Sequence, residues 1–483
     1  MFKYSPAHFD QTFSYDRTLI SPGILHLGVG AFHRAHMAAY VDTILAIQND
    51  WGIIGASLRR PDTKLALAPQ HFCYTLATRD ETSTRTRLIG SVLDILDAHT
   101  QRAELLAKLA DPRIRIVSLT VTEKGYCYDP SSGDLDENHP DVVHDLARPD
   151  EPVSAPGFLV HGLLARWRAG IAPFTVLSCD NLPANGKTTA RIVSRFAALC
   201  SSELASHISR NVAFPSSMVD RIVPPTTAAD RKIIRDLTNV DDAWPVMTEP
   251  FSQWVLEDTF PSGRAAFERV GVQLVDRVEP FERMKLRILN GAHSALAYLG
   301  YLAGHDYVAD VMRSPAFAAF IRALISEEIM PTLDLPGEEL GHYRDNILTR
   351  FANPALKHRT WQIAMDGSQK LPQRLLATIR ERLDNNQSVD RLALGVAGWM
   401  RYVTGIDERG RPIDVRDPLA SRFRKIADQA DRNPSLLVAG LLRVQEIFGD
   451  DLPRHSDFRT CLIGHVGKLF DTGADLAIAA LSS

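Results

Sequence analysis

Short apolar and β-branched runs alternate with helix-like segments through the first half of the chain. Helix-like segments include residues 158–169 and 186–200. This alternation is typical of a mostly parallel sheet covered by helices. The predicted strands are residues 23–30, 51–58, 114–122 and 174–181.

The strand pattern fades after about residue 275, and long segments rich in Ala and Leu follow. Residues 314–330 begin with Ser-Pro, a good N-cap and first helical residue, and 392–403 read as a helix buried on most sides. Residues 129–156, rich in Pro, Asp and Ser, are predicted to be a surface loop. We therefore expect an α/β domain over residues 1–274 and an all-helical domain over 275–483.

Composition and charge argue against several classes of partner. The 483 residues include 54 Lys and Arg against 58 Asp and Glu, a formal net charge of −4 without a long run of one sign. This balance does not favour nucleic acid or an anionic membrane. The first residues lack the apolar core of a secretory signal, and no apolar run is long enough to span a membrane. We expect a cytoplasmic protein, a monomer or small homo-oligomer, that acts on a small molecule.

The cysteines are odd in number, widely scattered and without a C-x-x-C pair, which predicts buried free thiols rather than disulfides or a metal knuckle. No H-E-x-x-H motif or clustered Cys and His indicates zinc, so we expect no metal site. The five cysteines are Cys73, Cys127, Cys179, Cys200 and Cys461.

The first predicted strand leads into a glycine turn, with Gly28, Gly30, Phe32 and His33 as candidate cofactor contacts. A strand, a tight glycine turn and a helix start can hold the pyrophosphate of a dinucleotide. His33 stands where the usual G-x-G-x-x-G has its third glycine, so these residues alone fit a structural turn equally well.

The second predicted strand is followed by Arg59, Arg60 and Asp62. An aspartate here could accept the ribose hydroxyls of NAD, which makes Asp62 the candidate. The two arginines could instead hold the 2′-phosphate of NADP, or all three residues could belong to a solvated loop.

The most informative stretch of the sequence is residues 284–298, which contains Lys285, Asn290 and His293. On an α-helix, His293 and Asn290 lie roughly 80° and 140° from Lys285, so the three groups share one wedge with leucines. A lysine in a buried helix is costly, and burial lowers its pKa toward that of a general base. Asn290 could then donate to an alkoxide and His293 could orient the substrate. Alternatively, Lys285 reaches solvent and pairs with Glu282, and the other two are satisfied core groups.

Several long blocks now identify a resemblance: ILHLGVGAFHRAH, VSLTVTEKGY, FTVLSCDNLPANG, MVDRIVPPT, EPFSQWVLED and the core K-x-x-x-x-N-x-x-H. They resemble the mannitol dehydrogenase family of polyol-specific long-chain dehydrogenases over nearly the whole chain. The resemblance implies a modified Rossmann domain, a C-terminal helical domain, NAD as cofactor and a metal-independent reaction. It implies a role for seven residues: Lys285 as general base, Asn181 and Asn290 as oxyanion hole, His293 and Asp220 as supports, Glu123 in proton passage and Asp62 in NAD selection.

The sequence departs from polyol-oxidising relatives at two places. Trp361 and Gln362 precede Ile363 where those relatives tend to have an arginine, and Lys124 replaces a glycine of T-E-G-G. Both departures argue against a plain polyol as substrate. The blocks HRTWQIAMDGSQKLPQRLL and LALGVAGWMRY most resemble the sugar-acid members of the family, and this resemblance implies interconversion of D-mannonate and D-fructuronate. Fructuronate resembles fructose with a terminal carboxylate, whose burial calls for a cation or several N–H donors. The candidate cations are Lys124, Arg359, Lys370 and Arg374, of which at least two are expected to be solvated.

Three other functions remain open at this point. The same chemistry could act on a neutral polyol such as mannitol or arabinitol, or on tagaturonate. A protein that kept the fold and lost catalysis could serve as a nucleotide-binding sensor.

Overall fold

The structure, a computed structural model, describes residues 8–129 and 132–482. They form two compact units whose boundary lies between Glu279 and Pro280. The strands of the first unit are β1 Pro22–Leu27, β2 Gly52–Ser57, β3 Tyr74–Arg79, β4 Thr84–Ile89, β5 Val92–Asp97, β6 Ile116–Leu119, β7 Thr175–Ser178, β8 Ser217–Asp220, β9 Val246–Thr248, β10 Gln253–Glu257 and β11 Gln273–Val275. Its helices are α1 Ala31–Ala35, α2 Met37–Ile44, α3 Asp62–Leu67, α4 Arg102–Ala110, α5 Pro140–Ala147, α6 Ala155–Arg168, α7 Asn185–Cys200, α8 Ser202–Asn211 and α9 Ala228–Thr238.

The main sheet of this unit is parallel, with strand order β5-β2-β1-β6-β7. The four predicted strands are confirmed as β1, β2, β6 and β7, and they lie side by side. Leu25 at the centre of β1 is in register with Ile54 of β2 and Val117 of β6. Strands that are covered on both faces need apolar residues at almost every position, which is why these four runs are recognisable in the sequence. Two smaller mixed sheets, β4-β3-β9 and β11-β10-β8, complete the unit.

The predicted surface loop at residues 129–156 is partly wrong. It contains α5, which begins after His139, whose ring accepts a hydrogen bond from the Asp141 N–H. Its last residues already belong to α6, where Ser154 caps the helix through the Gly157 N–H. Local polar composition hides α5 because Pro and Asp are as common in a first helical turn as in loops. Residues 130 and 131 lie outside the described residues.

The thiols are free, as predicted, but not all are buried. Cys73, Cys127 and Cys179 are buried, whereas Cys200 is exposed and Cys461 is half-buried. The prediction of burial is wrong for Cys200, which is the last residue of α7.

The second unit is helical, and within residues 280–482 the structure contains no strand beyond two isolated β-bridges. Its α-helices are α10 Glu279–Met284, which begins in the first unit, α11 Ala292–Leu302, α12 Val308–Met312, α13 Pro315–Ala323, α14 Gly337–Ala352, α15 Thr360–Ala364, α16 Gly367–Leu371, α17 Ala377–Asp384, α18 Asp390–Tyr402, α19 Ala420–Ala430, α20 Pro434–Leu442, α21 Gln445–Phe448, α22 Ser456–Asp471 and α23 Gly473–Ser482. Three π-helical segments interrupt them, at Lys285–Gly291, Leu324–Ile329 and Pro372–Leu376.

The two helices predicted in this unit are confirmed, one with a correction. Every residue from Leu392 to Tyr402 of α18 is buried, as its apolar sequence indicates. The predicted helix 314–330 is α13 followed by the π-helical segment Leu324–Ile329, and Ser314 occupies the N-cap position without a capping hydrogen bond from its side chain. None of the helices in the described part of the chain combines the length and apolar character needed to cross a membrane.

Candidate active site

The turn after β1 has a backbone conformation that glycine adopts most readily. Gly28 has φ of +95°, and a Cβ there would lie 2.3 Å from the carbonyl oxygen of Thr120. Gly30 has an ordinary φ of −89°, and a Cβ there would meet no atom closer than 3.9 Å. Gly28 is therefore required by the fold, whereas Gly30 leaves space open in front of the turn.

His33, which replaces the third glycine of the usual motif, lies in the core. Its ring stacks on that of His26 of β1 with centroids 3.4 Å apart, and neither ring nitrogen of His33 has a hydrogen-bond partner among the described residues. Burial and the neighbouring His26 hold the pKa of His33 well below its ordinary value, so the ring is neutral. The third glycine normally permits close packing of helix on strand, and here two stacked rings fill that contact. His33 can therefore offer a cofactor only its backbone.

His26 supports the glycine turn from below. Its Nδ1 lies 2.8 Å from the Ser118 hydroxyl, and its Nε2 lies 2.8 Å from that of Thr120. Thr120 in turn donates to the Gly28 carbonyl oxygen at 2.7 Å. Burial lowers the pKa of His26 to about 3. The turn is thus held by a neutral network that links the carboxyl ends of β1 and β6.

A cavity of about 240 Å³ opens at these carboxyl ends. The strand order β5-β2-β1-β6-β7 changes direction at the centre of the sheet, because β2 and β5 follow on one side of β1 and β6 and β7 follow on the other. The crevice between β1 and β6 is therefore the topological switch point, where parallel α/β sheets bind ligands. Phe32 and His33 are not part of the cavity wall; Phe32 instead stacks on His36 with centroids 5.0 Å apart. The lining residues include Gly28, Val29, Gly30, Leu58, Arg59, Arg60, Thr63, Thr120, Val121 and Thr122.

Charged residues border one end of this cavity. Arg59 and Arg60 line it, and Asp62 is exposed as the first residue of α3. The Arg59 guanidinium forms an ion pair of 2.9 Å with Asp141, the second residue of α5. The positive charge that could attract a 2′-phosphate is therefore partly compensated by a carboxylate 82 positions away.

Asp180 fixes the loop that follows β6. Its carboxylate accepts hydrogen bonds from the Val121 and Thr122 N–H groups at 3.0 Å each and from the Tyr126 hydroxyl at 2.9 Å. This loop carries Glu123 and Lys124, both exposed, in a short 3-10 turn. Asp180 is not among the site residues predicted from the sequence. Its position directly before Asn181, after a buried strand, could have indicated a functional residue.

Asn181 and Asp220 occupy different environments within the first unit. Asn181 is exposed in the bend after β7, and its neighbour Asp180 belongs to the network just described. Asp220 is buried at the end of β8, in register with Gln253 of β10. Asn181 follows the carboxyl end of β7 in the parallel sheet, which is where functional side chains of α/β proteins collect. Asp220 ends β8, which belongs to a smaller mixed sheet.

The segment that carries Lys285 and Asn290 is a π-helix, not the α-helix that the sequence argument assumed. It spans Lys285–Gly291 and passes into α11, which contains His293. Hydrogen bonds of a π-helix join residues five apart, so Lys285 and Asn290 lie about one turn from each other on the same side. The predicted separation of roughly 140° is therefore wrong, and the two groups are closer in direction than an α-helix allows. Each of the three residues is half-buried, so the helix is less enclosed than expected.

His293 is flanked by aromatic rings and basic groups. Its ring stacks on Phe351 with centroids 4.8 Å apart and on His358 at 5.5 Å. Its Nε2 is buried and has no hydrogen-bond partner among the described residues. Burial, followed by the effect of His358 and Arg374, holds the pKa of His293 well below its ordinary value. A neutral imidazole with an unused nitrogen is suited to a hydrogen bond with a substrate hydroxyl.

The four candidate cations separate into two pairs. Lys124 and Arg359 are exposed, and the Arg359 guanidinium lies 5.1 Å from the centre of the Tyr307 ring. Lys370 and Arg374 are half-buried. Lys370 donates to the Met365 carbonyl oxygen at 2.5 Å, and Arg374 donates to the Ser294 hydroxyl at 3.1 Å.

The electrostatics of the second pair differ from those of surface charges. Burial lowers the pKa of both Lys370 and Arg374, and for Lys370 the neighbouring Arg374 charge lowers it further. Both charges also act on His293. Lys370 and Arg374 therefore maintain a positive potential at His293, where an anionic substrate group would be stabilised.

Family models match both units of the chain. The mannitol dehydrogenase Rossmann domain matches residues 22–269, and the mannitol dehydrogenase C-terminal domain matches residues 277–467.

Individual relatives match almost the full length. An uncharacterized oxidoreductase of Escherichia coli (strain K12), YeiQ, is 48% identical over 92% of this chain and 91% of its own. The D-mannonate oxidoreductase of the same organism is 46% identical over 97% of both chains. The solved ternary complex of Pseudomonas fluorescens mannitol 2-dehydrogenase with NAD and D-mannitol is 41% identical, with a TM-score of 0.83 over 98% of this chain and 96% of that one.

Proposed function

Because the chain belongs to the mannitol dehydrogenase family, we propose that it is an NAD-dependent oxidoreductase that interconverts D-mannonate and D-fructuronate. The 46% identity to a D-mannonate oxidoreductase over 97% of both chains supports this choice within the family. We assign cofactor binding to residues 1–274 and catalysis to residues 275–483.

The first unit fits a dinucleotide. The Gly28 turn, the space in front of Gly30 and the cavity between β1 and β6 form the cradle that a pyrophosphate requires. NAD supplies the acceptor for the hydride that leaves the alcohol carbon. Asp62, exposed at the start of α3, is proposed to accept ribose hydroxyls, and the Asp141 carboxylate on Arg59 further disfavours a 2′-phosphate.

The proton of the alcohol goes to the Lys285 amine, the general base in this proposal. Asn290, about one π-helical turn away, donates a hydrogen bond to the alkoxide that develops on the same oxygen, and the family resemblance assigns Asn181 the role of a further oxyanion-hole donor. His293 holds a substrate hydroxyl through its unused Nε2. The family resemblance assigns a supporting role to Asp220 and the passage of the proton to solvent to Glu123, which is exposed after β6.

The observation that carries the choice of a sugar acid is the pair Lys370 and Arg374 beside His293. Partial burial of two positive charges that form no ion pair with a carboxylate costs folding free energy. This cost is explained if an anion binds to them as part of the function. Within the described residues neither cation lies within 4.0 Å of a carboxylate oxygen, and both donate to uncharged oxygen atoms. The charges of Asp366 and Asp417 act on Lys370 from farther away, and its pKa is still lowered. We propose that they hold the substrate carboxylate, at the far end of the open chain from the reacting carbon.

A substrate panel tests the proposal. D-Fructuronate, D-tagaturonate and D-fructose are each reduced with NADH and with NADPH, and the loss of reduced-cofactor absorbance is followed. A charge-assisted hydrogen bond contributes about 1.5–3 kcal/mol, so fructuronate should exceed fructose in kcat/KM by about tenfold to 150-fold with NADH. A preference for fructose would favour mannitol oxidation, which the mannitol 2-dehydrogenase relative also suggests. A preference for tagaturonate would keep the sugar-acid class and change the substrate.

Variants separate the carboxylate site from general damage. Arg374→Gln and Lys370→Met should weaken use of fructuronate by the same factor and leave use of fructose nearly unchanged. The matched control is Arg359→Gln, which removes an exposed cation of the same unit and should affect neither substrate. Equal losses on both substrates would contradict the assignment of the carboxylate to this pair.

A further inference from the structure

A second set of chemically active side chains lies in the helical unit, distant in sequence from residues 285–293. Cys461 and His465 are one turn apart on α22, and Asp390 is the first residue of α18, which packs against α22. The His465 Nε2 lies 2.7 Å from the Asp390 Oδ1, and the Cys461 Sγ lies 3.4 Å from the same oxygen. One sulfur, one nitrogen and one oxygen thus converge within 4.8 Å of one another.

The converging atoms can be reached from solvent. Asp390 and Cys461 form part of the wall of a cavity of about 450 Å³, which His455 and Asp457 also line. His465 lies deeper, with 4% of its surface exposed, whereas the Asp390 side chain keeps 45% of its surface exposed. A small ion could enter through the cavity, and a water molecule from it could occupy a further coordination position.

We propose that Asp390, Cys461 and His465 form a Zn²⁺ site whose fourth ligand is water. Thiolate, imidazole and carboxylate are the ligands that zinc prefers, in tetrahedral geometry at about 2.0–2.3 Å. Two ligands on one such ion lie roughly 3.4–3.6 Å apart. The separation of Cys461 Sγ and Asp390 Oδ1 is already of that size, and that of His465 and Asp390 must open by roughly 0.7 Å.

Zn²⁺ binding changes the protonation of the three ligands. The Cys461 thiol loses its proton to solvent and becomes a thiolate ligand. The His465 imidazole is neutral before and after binding, but its one proton, which Nε2 donates to Asp390 in the metal-free chain, moves to Nδ1 and leaves Nε2 free to bind the ion. Asp390 exchanges its hydrogen bonds for a bond to the ion, so one proton is released for each Zn²⁺ bound.

A second candidate metal site among the described residues is weaker. Its donors are Cys127, His139 and Asp141. It has the same spacing, but Asp141 is already in an ion pair with Arg59, and the His139 ring caps α5. Binding a cation there would disturb both interactions. At the Asp390 group, the close contacts of the ligand atoms are those among its own three side chains, and the Lys468 charge acts on Cys461 and His465 from farther away.

Cobalt is the spectroscopic probe for this site. The full chain, stripped with chelator and kept reduced, is titrated with Co²⁺ and then with Zn²⁺. One equivalent of Co²⁺ should produce the visible bands of a tetrahedral ion and an ultraviolet thiolate-to-cobalt charge-transfer band. Zn²⁺ should abolish both and raise the melting midpoint, because an ion that binds only the folded state stabilises it.

Variants identify the ligands. Cys461→Ser and His465→Gln should lose the charge-transfer band and the Zn²⁺-dependent rise in melting midpoint while melting like the wild type without metal. The control Cys200→Ala removes an exposed thiol of α7 and should keep both signals. A wild-type chain without the band, or a band that persists in Cys461→Ser, would overturn the proposal. These residues take no part in the proposed oxidoreduction, so either proposal can fail alone.

Discussion

Substitution of each glycine in the turn after β1 by alanine should separate folding from cofactor binding. At Gly28 a side chain must adopt φ of +95°, a conformation that costs about 1–3 kcal/mol. Its Cβ would also lie 2.3 Å from the Thr120 carbonyl oxygen, which belongs to the backbone and can yield only if β6 shifts. We therefore expect Gly28→Ala to destabilise the first unit by at least about 2 kcal/mol, with a fall in melting midpoint of about 4–8 °C.

Gly30→Ala is the matched control, with the same added methyl group two residues away. Gly30 has φ of −89° and no atom within 3.9 Å of the added Cβ, so the fold should keep its stability. The methyl group, however, would enter the cavity that we assign to the cofactor. Crowding of this kind costs about 1–3 kcal/mol, which weakens NADH binding about fivefold to 150-fold.

Two measurements decide the outcome. Thermal unfolding followed by circular dichroism reports the stability of each variant, and quenching of protein fluorescence by NADH reports binding. If Gly28→Ala melts like the wild type, the steric argument for the turn is wrong. If Gly30→Ala binds NADH with unchanged affinity, the pyrophosphate does not approach this turn and the assigned cofactor site is wrong.

Three further predictions concern the base, the cofactor and pH. Lys285→Ala should lower kcat about 10²-fold or more with NADH affinity unchanged, and a rate near that of the wild type would remove Lys285 as the base. Asp141→Asn should free the Arg59 guanidinium and raise kcat/KM for NADPH relative to NADH by up to about fivefold, the scale of an exposed ion pair, whereas an unchanged ratio would show that Arg59 does not meet the 2′ position. Because burial lowers the pKa of His26 to about 3 and that of His33 well below its ordinary value, both are neutral in the folded state, and their stabilising contribution is present above about pH 6.5 and lost as the pH falls. Each histidine should lower the free energy of unfolding, measured in urea, by up to about 1.4 kcal/mol per pH unit below that point. His33→Phe should reduce this dependence of the unfolding free energy on pH.

Much of the fold could be predicted because its signals lie within contiguous residues. A strand that is covered on both faces must be apolar along its length, so β1, β2, β6 and β7 were recognisable one at a time. β5 was not, because Asp94 and Asp97 interrupt its apolar residues. The glycine turn and the apolar helix α18 were recognisable for the same reason, since φ of a turn and periodicity of a helix are local properties.

The sequence by itself determined the α/β and helical halves, the glycine turn and the set of polar residues from which a site could be built. Only the tertiary structure decided how those residues are used, because burial and pairing depend on chain segments far apart in sequence. It places His33 against His26 in the core, joins Arg59 to Asp141, and winds Lys285 and Asn290 into a π-helix that brings them to one side. It also exposes Lys124 and Arg359 while half-burying Lys370 and Arg374, although all four are equivalent charges in the sequence. A side chain's type fixes its chemistry, but its pKa, its partners and its access to a ligand follow from the packing around it.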